Sequence, residues 1–464
     1  MISDFIVDKI REQFPFTPTQ QQGEAVCELA NFISKKSIRK AFILKGYAGT
    51  GKTTVVAALV KALEEIGYKC VLMAPTGRAA KVIAAYSHHP AYTIHKKIYR
   101  CKQFGNTQFS LSENLHSNTL FIVDEASMIS NDKDSSLFGS GRLLDDLISY
   151  VYNGKACHLL LLGDSAQLPP VHQEHSPALE EEWLQGYGID VSSYELTHVV
   201  RQALQSGILY NATLLRHQLT QDGIRHKFQF ETDGFDDICH INGQEMLDEL
   251  QRSYQEVGET ETVVITRSNK RANLYNRGIR NFIMYKEEEL SVGDLIMLSR
   301  NNYFWAKDYD GIDFLANGDM MEIRRIRKYH ELYDLRFVDV ALKALDYDWE
   351  IDATLLLDSL HVDGPSDNQV FNQQLFQSIS EDYPEIRDRR KLIEIIKTDP
   401  HYNAIQARFA YAITCHKAQG GQWERVFIDQ GNIPEDHLDL SYYRWLYTAL
   451  TRAGKKVYLV NFPH

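Results

Sequence analysis

The segment Gly46-Tyr47-Ala48-Gly49-Thr50-Gly51-Lys52-Thr53 has the spacing G-x-x-x-x-G-K-T, the spacing of a loop that wraps phosphate. Its glycines let successive backbone N–H groups turn onto an anion at the start of a helix. The Lys52 ammonium adds charge at the β- and γ-phosphates, and the Thr53 hydroxyl can ligate Mg²⁺. A second pair, Asp124-Glu125, closes the apolar run LFIVDEA. An aspartate there can hold Mg²⁺ and a neighbouring glutamate can polarise an attacking water. Taken singly, such an acidic pair is more often a helix cap; together with the phosphate loop it reads as hydrolytic. Gln167, in GDSAQLPPV, offers an amide that can orient water or sense a γ-phosphate. The chemistry indicated is hydrolysis of a nucleoside triphosphate.

These residues sit at the ends of short apolar runs: AFILKG before the phosphate loop, KCVLMAP at 69–75, TLFIVDEA at 119–126 and CHLLLLGD at 157–164. Strands that are apolar throughout and alternate with helix-length segments predict a parallel sheet covered on both faces, with ligands bound at the strands' C-terminal ends. TVVITRSN at 262–269, RVFIDQ at 425–430 and KVYLVNF at 456–462 repeat the pattern, so two α/β domains are expected. Between them, alternating runs joined by turns such as Asn317-Gly318 predict a small β-barrel. The expected boundaries are 1–200 for the first domain, with a β-ribbon insertion at about 90–118, and 201–290 with 401–464 for the second. The barrel and a helical extension are expected over 291–400. The extension contains an acidic stretch at 344–368, read as a solvated face.

The chain has 464 residues, 44% hydrophobic and 24% charged, enough for two to four domains at roughly 100–200 residues each. Fifty Lys and Arg against 62 Asp and Glu give a net charge of −12, which on its face argues against nucleic acid. Six scattered cysteines form no CxxC pair, so neither zinc nor a disulfide framework is indicated and a reducing, cytoplasmic setting is expected. The N-terminal segment carries Asp4 and no uninterrupted apolar run. No stretch nears the roughly 18 apolar residues of a membrane span, and no membrane partner is expected.

In order, GYAGTGKTT, APTGRAAK, DEASM, GDSAQLPPV, YAITCHKAQGGQW and YTALTRA resemble the motif series of superfamily 1 helicases, in particular the RecD-like, Dda-like 5′-to-3′ branch. The resemblance runs from about Phe16 to Arg452. It implies two RecA-like domains and ATP with Mg²⁺ as cofactors. Gly46, Gly49, Thr50, Gly51, Lys52, Thr53 and Thr54 would bind ATP, Thr53 and Asp124 the metal. Glu125 would be the catalytic base and Gln167 the coupling residue, with Arg201 and Arg452 reaching the γ-phosphate from the second domain. Gln22 matches an adenine-reading glutamine, although Gln20 and Gln21 leave the register open. Only 71 residues separate Lys52 from Asp124, too few for the large helical insertion of the 3′-to-5′ branch.

For DNA the resemblance points to Pro75, Thr76, Thr93, His95, Thr414, His416, Lys417 and Gln419, as contacts to a single strand's backbone; each Thr and His could equally cap a loop. Residues 98–118 would form a strand-separating pin turning at Gly105-Asn106. Phe104 and Phe109 are its candidates for stacking on the fork, or for packing beneath the ribbon. The expected partners are single-stranded DNA and single-strand/duplex junctions, with the protein acting as a monomer. An RNA-directed motor and a nucleotide-timed loading module remain the rival readings.

Overall fold

The computed structural model describes residues 2–101, 109–133, 138–200, 205–220, 227–307, 309, 314–386, 388–434 and 438–462. The apolar runs of the first part are strands: β1 (Lys40–Gly46), β2 (Lys69–Ala74) and β3 (Ala91–Thr93). After an antiparallel ribbon of β4 (Tyr99–Cys101) and β5 (Phe109–Leu111) come β6 (Thr119–Val123), β7 (His158–Gly163) and β8 (Asp190–Leu196). Six of them form one sheet in the order β3-β2-β6-β7-β1-β8, every neighbouring pair parallel. Alternation along β1 feeds two layers. Phe42 and Leu44 pack with Leu29, Leu59 and Leu63 on one face, while Ala41 and Ile43 pack with Phe121 and Leu161 on the other. The helix Gln20–Ser34 starts at Thr19, whose side chain accepts from the Gln22 N–H while the Gln22 side chain accepts from the Thr19 N–H.

The second part opens with β9 (Ile238–Ile241) and β10 (Thr262–Thr266). It then leaves for β11 (Leu295–Leu298), β12 (Met320–Leu332), β13 (Leu335–Ala344), β14 (Glu350–Leu356) and β15 (Ala407–Phe409), and returns with β16 (Ala412–Thr414), β17 (Trp423–Asp429) and β18 (Ala453–Val460). The returning strands build a second parallel sheet, β16-β10-β17-β18-β9. The protein is therefore an α/β molecule with two parallel-sheet units.

The excursion is an antiparallel sheet, β14-β13-β12-β11-β15. The Ile405 N–H donates to Thr354 O at 2.8 Å and the Leu356 N–H to Ile405 O at 2.9 Å, so its two edges meet. Tyr333 and Asp334, both at positive φ (58° and 56°), make the two-residue turn between β12 and β13. Because β15 pairs with β11, this sheet runs past residue 400 to Phe409.

The acidic stretch differs from expectation. Residues 350–356 are β14, in which exposed Glu350 and Asp352 alternate with buried Ile351 and Ala353; a short 3-10 turn follows at Leu357–His361, and α-helices begin only at Pro365–Glu381 and Arg389–Thr398. The acids are partnered: Asp352 lies 2.6 Å from Arg327, Glu350 3.2 Å from Arg325 and Asp358 2.6 Å from Arg336. A period of two, hidden among seven acids, is the signal a charge count missed. Among the described residues no helix is long and apolar enough to cross a membrane.

Candidate functional site

The phosphate loop joins β1 to the helix Lys52–Glu65. Gly49 and Gly51 sit at φ of 75° and 84°, and a Cβ on Gly51 would come within 2.3 Å of Gln22 Nε2, so glycine is required there by both conformation and space. Lys52 Nζ is folded back on the loop, donating to Gly46 O and Tyr47 O. Thr50 is buried, its hydroxyl donating to Tyr47 O at 2.8 Å.

In front of the loop lies a cavity of about 440 Å³ whose lining includes Lys52, Thr53, Thr54, Asp124, Glu125 and Gln167 from the first unit and Arg452 from the second. Burial, and then the neighbouring Glu125, push the Asp124 carboxyl up to about 6, although the Glu125 N–H donates to it at 2.8 Å. Glu125 itself is held at φ 51°, a conformation non-glycine residues seldom adopt. Gln167 Oε1 is buried without a hydrogen-bond partner. Arg452 is 5% exposed. Its Nη1 lies 3.7 Å from Glu125 Oε1, and its guanidinium is braced by Thr448 O and Gly421 O. Two adjacent carboxylates, one of them reluctant to ionise, beside a hydroxyl and a phosphate loop suit Mg²⁺, which is usually held by one or two carboxylates plus substrate phosphates. Among the described residues no cluster of three or more His, Cys, Asp or Glu forms a self-contained metal cage.

Gln22 is placed differently from an adenine reader. It is fully buried behind the loop, with Oε1 accepting from the Thr19 N–H at 2.9 Å and Nε2 donating to Thr50 O at 3.1 Å, so its amide is spent on the loop. Gln21 binds the Thr197 and His198 N–H groups, and Gln20 binds Glu24. Arg201 lies outside the described residues.

A second cleft collects Pro75, Thr76, Thr93 and His95 from the ends of β2 and β3, and His416, Lys417 and Gln419 from beyond β16. It adjoins a cavity lined by Thr414, His416 and Lys417. Thr76 and Thr93 are also N-caps, accepting from the Ala79 and Lys96 N–H groups at 3.3 and 3.1 Å. The third wall comes from the antiparallel sheet and the segment leading into it, and was not foreseen: Phe314, Asn317, Asp319 and Met297 line the cleft, and Lys417 Nζ donates to Asn317 Oδ1 at 2.6 Å. Only the Asn317-Gly318 turn hinted at it in sequence.

Phe109 requires correction. It is 4% exposed, with ring centroids 4.6 Å from Tyr303, 5.0 Å from Phe138 and 5.9 Å from Phe314. A ring so enclosed has no face left for a base and packs beneath the ribbon. Phe104 and the Gly105-Asn106 turn lie outside the described residues.

Sequence reasoning also passed over Asp164, Tyr447 and Thr448, although their motifs were in view. Asp164 is 1% exposed, burial raises its carboxyl, and Tyr447 Oη donates to it at 2.6 Å.

Residues 17–229 match the family described as an AAA domain, and residues 409–460 the UvrD-like helicase C-terminal domain. The ATP-dependent RecD2 DNA helicase of Deinococcus radiodurans is 23% identical over 93% of this chain and 48% of its own length. The ATP-dependent DNA helicase dda of Enterobacteria phage T4 is 25% identical over 90% of this chain and 93% of its own. An uncharacterised mimivirus protein, R530 of Acanthamoeba polyphaga mimivirus, is 23% identical over 95% of this chain and 98% of its own. The chain thus spans about half the length of one of these relatives and nearly all of the other two. The first match covers the phosphate-loop unit and the second the end that carries Arg452, with the six motifs in order across them, so over nearly its whole length the chain is similar to superfamily 1 helicases of the RecD-like kind.

Proposed function

We propose that this chain is an ATP- and Mg²⁺-dependent DNA helicase that translocates 5′ to 3′ along single-stranded DNA and opens the duplex ahead of it, working as a monomer. One observation carries the reading. Arg452 of the second unit stands 3.7 Å from Glu125 of the first, inside the cleft that holds Lys52. A cleft whose walls belong to two units lets phosphate binding and loss draw the units together and apart.

In this reading Thr53 and Asp124 would hold Mg²⁺, which when bound would supply positive charge against the phosphates. Lys52 binds the β- and γ-phosphates, Glu125 takes the proton of the attacking water, and Gln167 Oε1 is the acceptor that orients it. Arg452, with Arg201, offsets charge developing in the transition state. Pro75, Thr76, Thr93, His95, Thr414, His416, Lys417 and Gln419 grip the sugar–phosphate backbone of the strand. The short spacing from Lys52 to Asp124 and the resemblance of the six motifs to the RecD-like, Dda-like branch support the 5′-to-3′ direction.

Lys52→Ala is expected to lower DNA-stimulated ATP hydrolysis at least about 100-fold and to abolish unwinding. The parent protein is expected to open a duplex with a 5′ single-stranded tail and not one with a 3′ tail. Equal opening of the two substrates would overturn the polarity.

A further inference from the structure

Tyr447 lies on the helix Leu440–Leu450 of the second unit, its side chain 1% exposed, and its hydroxyl is engaged on both sides by the first unit. It accepts from the Ala48 N–H of the phosphate loop at 2.9 Å and donates to Asp164 Oδ2 at 2.6 Å. The next residue, Thr448, accepts from the Leu168 N–H at 2.9 Å through Oγ1, and Gln419 Nε2 donates to Leu168 O at 2.7 Å. One turn of one helix therefore ties the phosphate loop to the segment Asp164–Leu168, which contains Gln167, and that segment is tied in turn to a residue lining the strand cleft.

We infer that Tyr447 is a positioning residue that transmits occupancy of the nucleotide cleft to the strand cleft. The inference rests on the helicase reading above and goes beyond it by naming the link. Backbone N–H groups of a phosphate loop are the donors that cradle phosphate oxygens. The Ala48 N–H is one of these, and here it is given to a neutral hydroxyl. A phosphate oxygen, carrying charge, is the stronger acceptor and takes that N–H from the tyrosine. Tyr447 Oη then keeps only Asp164, and the balance of hydrogen bonds holding the helix turn between the loop and the Asp164–Leu168 segment changes. Tyr447 and Asp164 are each 1% exposed, so water does not replace the hydrogen bond that is given up, and the exchange is between two discrete arrangements. Leu168 O, held by Gln419, carries the difference to the strand cleft. By linkage, DNA in that cleft must change nucleotide affinity by the same factor.

The test uses the full chain and Tyr447→Phe, which keeps the buried ring and removes only the hydroxyl. Equilibrium affinity for a fluorescent oligothymidine is measured without nucleotide and with a saturating, Mg²⁺-loaded, non-hydrolysable ATP analogue. The parent is expected to show a ratio of about 5- to 150-fold between the two affinities, the usual range of coupling. In Tyr447→Phe the ratio is expected to fall to within about twofold of unity, with the nucleotide-free affinity unchanged, whatever shift in melting temperature the loss of the Ala48 and Asp164 hydrogen bonds brings. Thr448→Ala, which cuts the link on its other side, is expected to lower the ratio as well. A merely structural role would move melting temperature or nucleotide-free affinity and leave the ratio alone. A Tyr447→Phe protein with the parental ratio overturns the inference, as does a parent that hydrolyses ATP in response to DNA yet shows no ratio. A parent without DNA-stimulated hydrolysis instead overturns the helicase reading itself.

Discussion

Asp319 shows how a single carboxyl reports its place in the strand cleft. It is 7% exposed, and the Ala316 N–H donates to it at 2.7 Å. Burial pushes its carboxyl from 3.8 up to about 7, with Asp346 adding to the shift and the Ala316 hydrogen bond and Lys96 opposing it. Since the folded protein holds this proton more tightly than the unfolded chain does, the unfolded chain binds fewer protons between pH 4 and pH 7. Stability is thus fully present near pH 4 and is lost as pH rises through about 7. The loss is at most about 4 kcal/mol for a shift of that size. Asp319→Asn keeps an acceptor for the Ala316 N–H without the charge. It is expected to be more stable than the parent at pH 8, and the difference should vanish as pH approaches 4. Urea denaturation of both proteins across that range checks it, and parallel curves at all pH values would refute it.

At the scale of elements, β4 and β5 are held to the body of the molecule by an aromatic cluster. Phe138, 2% exposed, sits at its centre, with ring centroids 4.8 Å from His95, 5.0 Å from Tyr99 and Phe109, 5.3 Å from Phe314 and 5.7 Å from Tyr303. Removing that ring leaves a void that several elements share. Phe138→Ala is expected to cost about 3–5 kcal/mol, read from the shift in urea midpoint. A cost under about 1 kcal/mol would mean the neighbours collapse into the space. The cluster also shows where sequence reading stops. The phosphate loop and its Asp124-Glu125 partner were legible because a run of apolar residues ending in a fixed motif is local. Phe109 was left between two roles because the rings that bury it, Tyr303 and Phe314, come from some 200 residues further along. β14 was misread as helical for a related reason: its acids are matched by Arg325 and Arg327 across a sheet, and a charge tally along the chain cannot see a cross-strand partner. Tyr447 carried no signal of its own, since a tyrosine in a helix rich in aromatic residues reads as core.

For the molecule as a whole, a net charge of −12 and a nucleic-acid partner are compatible once the charge is located. Much of the acidic excess of 344–368 is spent in ion pairs: Asp346 with Lys81, Glu350 with Arg325, Asp352 with Arg327 and Asp358 with Arg336. The strand cleft and its adjoining cavity are lined, among the described residues, by three cations, Arg78, Arg408 and Lys417, and by the carboxyl of Asp319, amid hydroxyls, amides and imidazoles. A single strand lying there would displace counterions from about three phosphates. The slope of log affinity against log salt is therefore expected near −2, at about −0.7 for each phosphate neutralised on a single strand. In the proposed reading a duplex is excluded from this cleft and meets a chain of net charge −12 instead, where repulsion is screened only beyond about 10 Å at 0.1 M salt. Duplex of equal length is accordingly expected to compete at least about tenfold less well than single strand at that salt. A salt titration with a labelled single strand and unlabelled competitors measures both quantities. A slope steeper than about −5 would mean that the strand meets a broad basic surface the described cleft lacks. Equal competition by duplex would mean that the net negative charge does not govern access, and would remove charge from the account of how this protein chooses its strand.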